Sequence, residues 1–152
     1  MKETERIIKL FEDLFEGEPW IEVNLIGTLK GITAEQAAKR SLAERNTIWE
    51  IVNHLISWRQ NVLERIQGKV ITTPGNNYFT AVTDTSPEAW TSTLHQLKVS
   101  QLQWINFLRT FRESDFEKIY PINSMTYYEH IHGIIQHDAY HLGQIVLLAK
   151  LV

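Results

Sequence analysis

The chain has 152 residues, 43% apolar and 22% charged, with net charge -3, no cysteine, five Trp, five Tyr and six Phe. This balance fits a single domain over residues 1–152 with an ordinary apolar core. It excludes disulfides, an apolar run of about 18 residues that could span a membrane, and the basic footprint of a nucleic-acid binder.

Met1-Lys2-Glu3-Thr4-Glu5-Arg6 is charged and lacks the apolar stretch of a signal peptide, so a cytoplasmic location is expected. The lack of cysteine fits a reducing compartment. It also means that any thiol chemistry must use the thiol of a small molecule.

The first helical stretch covers about residues 4–16 and stops before Gly17-Glu18-Pro19. A partly helical connection follows over residues 20–29 and closes at Gly31. Ile32-Thr33-Ala34-Glu35-Gln36-Ala37 reads as a short helix, with Thr33 as cap and Gln36 three residues on. The second long helix spans about residues 46–67 and ends at Gly68. Ile48, Ile51, Val52, Leu55, Trp58, Val62 and Ile66 form its apolar stripe, which Trp49, Ile56 and Leu63 widen for a second neighbour.

Residues 69–85 are irregular, with Thr73-Pro74-Gly75-Asn76-Asn77 dense in turn formers. A loop of this length is either the rim of a site or a plain crossover. The third helix opens at Ser86-Pro87 and has the seam Trp90, Leu94, Leu97, Gln101, Trp104, Leu108 and Phe111, spaced by alternating fours and threes. Gln101 is the polar member of that seam. It either sits at an edge with its amide in water or faces an internal polar site.

The fourth helix covers about residues 126–151, capped at Ser124 or Thr126. Its buried arc is Ile131, Ile134, Ile135, Leu142, Ile145 and Ala149, with His137 and His141 at one edge beside Gln144 and Leu148. Four amphipathic helices with a long crossover between the second and third make an all-α four-helix bundle.

His137 and His141 are four residues apart, on one helix face and roughly 6 Å from each other. Two imidazoles at this spacing can hold one metal ion. His54 lies mid-helix beside the second apolar stripe, with Glu50 one turn before and Trp58 one turn after. Bundle metal sites draw inward side chains from facing helices, which makes His54 the natural third ligand. Nitrogen ligands suit zinc, nickel, iron or copper.

His95 and His132 are expected to point outward. His130 is expected at a boundary, about 10 Å along the axis from His137. Glu50 is a candidate carboxylate near His54 or an exposed helix residue. Asp138, Tyr140 and Gln144 are candidates to support the ligands from behind, because a ligating imidazole donates its other N–H.

Ile48-Trp49-Glu50-Ile51-Val52-Asn53-His54 and His137-Asp138-Ala139-Tyr140-His141-Leu142-Gly143-Gln144-Ile145 together resemble the two metal motifs of the DinB-like superfamily. That group includes the YfiT-like metal-dependent hydrolases. The similarity extends over Leu29-Lys30-Gly31-Ile32-Thr33-Ala34-Glu35-Gln36-Ala37.

The resemblance implies an up-up-down-down type bundle and a three-histidine metal site on His54, His137 and His141, usually with zinc or nickel. It also implies frequent homodimers. Relatives include thiol-dependent transferases that use low-molecular-weight thiols such as bacillithiol. Two classes of function follow. One is a metal-dependent transferase or hydrolase acting on a small electrophilic substrate. The other is a non-catalytic, stress-related binding or sensor module with the same metal site.

Overall fold

The computed structural model describes residues 1–152 and is all-helical. Its helices are α1 (Glu3–Glu16), α2 (Leu25–Leu29), α3 (Ala34–Ala38), α4 (Ile48–Ile66), α5 (Pro87–Thr110) and α6 (Tyr127–Ala149), with a 3-10 turn at Glu113–Asp115. No helix is long and apolar enough to cross a membrane.

Local chemistry sets the boundaries. Thr33, Thr47 and Thr126 each accept the backbone N–H three residues on, while Gln36, Glu50 and Glu129 reach back to the cap N–H. These reciprocal bonds satisfy helix-end donors that would otherwise lack partners, each cap stabilising by about 1 kcal/mol. Thr47 therefore starts α4 at Ile48, two residues later than the expected bound of about 46, and Thr126 rather than Ser124 caps α6. Ser86 caps α5 with Pro87 as its first residue.

The four long helices close a ring in the order α1, α5, α4, α6, each packed on its two neighbours. Their directions follow from named contacts. Trp49 meets Trp90 and Thr93, while Arg59 meets Ser100 and Gln101 further on, so α4 and α5 run parallel. Thr4 at the start of α1 bonds Glu113 just beyond α5, so that pair is antiparallel. Tyr128 Oη donates to Glu3 and places the starts of α1 and α6 together.

Along the chain the order is therefore up, down, down, up, not the up-up-down-down order that the resemblance implied. The connection between α4 and α5 makes this possible. A helix of 19 residues is about 28 Å long, and residues 67–86 have ample reach to return over that distance.

Apolar side chains gather in two clusters. One joins Ile48, Val52 and Leu55 of α4 to Leu142, Ile145 and Leu148 of α6. The other joins Val62 and Ile66 to Phe11, Trp104, Ile131 and Ile134. α4 and α6 are thus antiparallel, and the histidine-bearing stretches face each other near mid-bundle. Arg59, at 1% exposure, occupies that level on the inner side.

Candidate metal centre

α4 supplies His54, and α6 supplies His137 and His141 one turn apart. The ring centroids are 4.9 Å (His54 to His137), 4.6 Å (His54 to His141) and 4.5 Å (His137 to His141) from one another. One nitrogen from each ring falls within 4.8 Å of the other two. They share a cavity of about 410 Å³ with Trp58, Asn77, Phe79, Tyr140 and Gln144.

The outer nitrogens show how the rings are set. His54 Nδ1 lies 2.7 Å from the Asn77 carbonyl oxygen, which can only accept, so Nδ1 carries the proton. His141 Nδ1 lies 2.7 Å from Gln144 Oε1 and donates to it, and Gln144 Nε2 donates to Tyr140 Oη at 3.1 Å. Both rings therefore turn an Nε2 lone pair toward the interior.

His137 completes the arrangement. Its Nε2 stands 3.0 Å from His54 Nε2, a separation that demands a proton or a shared cation between the two nitrogens. A proton on His137 Nε2 leaves its Nδ1 bare. That Nδ1 and Asp138 Oδ1, 4.0 Å apart, are both buried and without hydrogen-bond partners. With a cation at the inner nitrogens, the proton belongs on Nδ1, facing the carboxylate. The donor set and this orphaned pair both fit a divalent transition metal.

Burial lowers the His54 pKa to about 4. The Asn77 carbonyl opposes the shift, and the neighbouring His141 and His137 add to it. Burial also lowers the His141 pKa, with Gln144 opposing. Both rings are consequently neutral near pH 7, as metal ligands must be.

The unfolded chain takes up protons at these two groups below the ordinary imidazole value of 6.5, while the folded chain resists until lower pH. Stability from this source is complete above that value and is lost as pH falls below it, for His54 toward about 4. Urea unfolding of the metal-free protein across this range is expected to show the midpoint falling with pH. A flat midpoint would contradict the neutral assignment.

The crossover forms one wall. Phe79 stacks on His54 at 3.8 Å with ring planes 6° apart, and Trp58 Nε1 donates to Asn77 Oδ1 at 3.0 Å. Asn77 and Tyr78 adopt left-handed φ of 52° and 62°, which turns the Asn77 carbonyl toward α4. Asn61 donates to Tyr78 Oη at 2.8 Å and anchors this bend. Such strain in non-glycine residues persists only where the surroundings hold it.

Replacing Phe79 with Ala removes the stack, and isothermal titration is expected to show metal affinity reduced by up to about tenfold. Unchanged affinity would make Phe79 a bystander.

Among the other sequence candidates, Trp58 and Gln144 line the cavity. Glu50 does not. It is buried, and its oxygens accept the Thr47 N–H at 2.8 Å and Arg40 Nη2 at 2.7 Å. Gln101 is also buried and accepts from Arg59 Nη1 at 2.9 Å, so it faces an internal polar site apart from the cavity.

Asp138 pairs with Arg59 and lies directly behind His137. His95 is exposed, and His132 is half-buried against Tyr128. His130 is buried rather than at a boundary, because Tyr120 and Asn123 of the segment before α6 fold over it.

Sequence reasoning did not single out Asn77, Phe79 or Arg59. Phe79 left a faint signal, since an aromatic residue in a turn-rich segment needs somewhere to pack.

A family model described as the DinB superfamily matches residues 21–145, which include all three histidines. No curated protein and no solved structure matches the chain.

Proposed function

Since the chain belongs to the DinB superfamily, we propose that it is a metal-dependent enzyme acting on a small electrophilic substrate. One divalent ion, zinc or nickel, would be held by His54, His137 and His141. The observation that carries this reading is the convergence of the three inner imidazole nitrogens, two of them with their outer nitrogens committed to fixed acceptors. When bound, such an ion keeps a thiol or a water deprotonated near neutral pH.

The chain's own residues supply the rest. Asn77 and Gln144 hold two rings in the productive tautomer, and Trp58 and Phe79 form an apolar wall that excludes water from one side. Tyr140 stands exposed at the mouth. The absence of cysteine assigns any sulfur transfer to a low-molecular-weight thiol such as bacillithiol. The family relationship supports a homodimer in the cytoplasm, built from single-domain chains. A site with three protein ligands favours chemistry over a purely structural ion, which takes four.

Zinc- and nickel-loaded protein should be incubated with a model electrophile, with and without a small thiol. Consumption above the metal-free control that requires thiol identifies a transferase, and thiol-independent consumption identifies a hydrolase. Failure of both overturns the enzyme reading in favour of a non-catalytic binding or sensor module with the same site.

A further inference from the structure

A second chamber of about 200 Å³ adjoins the three-histidine cavity, and Trp58 and His137 line both. Its walls are largely apolar, with Val62, Met125 and Ile134 among them, and at Gly133 an added Cβ would meet nothing within 4 Å.

The cation of this chamber is Arg65, in the last turn of α4. Its guanidinium lies over two aromatic rings, 5.4 Å from the Trp58 centroid and 5.0 Å from the Tyr120 centroid. Nη2 donates to Thr73 Oγ1 at 3.2 Å. Nη1 has no acceptor from the protein, Nε is buried without one, and no carboxylate lies within ion-pairing distance. Glu129, at the exposed mouth, turns its Oε2 to the Thr126 N–H and hydroxyl. Asn123 and His130 at the far wall are bonded to each other.

A guanidinium fixed by stacking, lacking a counter-ion and set in apolar walls is a carboxylate receptor. Trp58 is the neighbour the two centres share, with the His137 ring 5.9 Å and the Arg65 guanidinium 5.4 Å from it.

We infer that the chamber binds the carboxylate of an acidic small molecule through Arg65 while the molecule's reactive atom sits at the three histidines. The inference rests on the metal reading above and extends it to a substrate class: thiols or electrophiles carrying a carboxylate several bonds from the reacting atom.

Cobalt-loaded protein gives the test, because a thiolate entering the cobalt shell produces a charge-transfer absorption that can be titrated. The probes are mercaptoacetate and mercaptohexanoate, each beside the alcohol of equal chain length. In the wild type the long acid is expected to bind roughly tenfold or more tightly than its alcohol. Arg65→Gln should abolish that preference and leave the affinity of the neutral thiols unchanged, which also shows that the variant is folded. The short acid, with one carbon between sulfur and carboxyl, should respond to the substitution less than the long acid does.

Equal affinity of long acid and long alcohol in the wild type, or a preference that survives in Arg65→Gln, overturns the inference alone. Failure of wild-type protein to take up cobalt overturns the metal reading and the inference with it.

Discussion

Alanine in place of His54, His137 or His141 is expected to abolish stoichiometric metal, with one ion per chain in the wild type and none in any of the three. Each ring supplies one of only three nitrogens that converge, so two remaining ligands leave a site too weak to survive purification. Replacing a residue that only supports a ligand typically lowers affinity about 10–100-fold, so Gln144→Ala should fall in that range and the histidine variants well beyond it.

The bundle should survive. The apolar clusters above and below the site contain none of the three histidines, and helical circular dichroism should match the wild type. Metal-loaded wild type should unfold later than metal-free wild type by the binding linkage, about 4 kcal/mol at a thousandfold excess over Kd, and no variant should show that gain. Elemental mass spectrometry read beside circular dichroism decides the matter. Full occupancy in any variant removes that histidine from the site, and a melted chain refutes the claim that packing alone holds the fold.

The second large effect concerns the Arg59–Asp138 pair. Both side chains are 2% exposed, with Arg59 Nη2 at 2.7 Å and Nε at 2.9 Å from Asp138 Oδ2. Arg59 Nη1 also reaches Gln101 Oε1, and its guanidinium lies 5.3 Å from the Phe15 ring. Asp138→Ala leaves a guanidinium buried without its counter-charge, and Arg59→Met does the same to the carboxylate. Either is expected to destabilise the protein by about 3–5 kcal/mol in urea unfolding. The double variant Arg59→Met with Asp138→Leu should recover most of that loss, since neither charge is then stranded.

Additive losses in the double variant would show that the two side chains act independently. Because Asp138 Oδ1 stands behind His137 Nδ1, the double variant should regain stability without regaining full metal affinity. That outcome separates packing at the centre of the bundle from support of the metal ligand.

Arg59 shows why part of this protein could not be read from its sequence. On α4 it stands among Trp58, Gln60 and Asn61, with nothing local to distinguish it from a solvated helix arginine. Its burial depends on partners 41, 42 and 79 residues away, on two other helices. The same holds for Asn77 and Phe79. Turn chemistry marks their segment as irregular, but whether such a segment covers a site or merely crosses the bundle depends on where it packs.

What the sequence determined by itself is what short-range physics controls. Helical periodicity put His137 and His141 on one face, Thr33 with Gln36 three residues on set the start of a short helix, and the apolar stripes required four helices to bury one another. Tertiary structure alone decided the up-down-down-up order, the seat of the crossover against His54, and the buried ion pair behind His137. Each of those is a contact between residues far apart along the chain. The free energy of such contacts depends on the simultaneous placement of several helices, and no local pattern of residues encodes it.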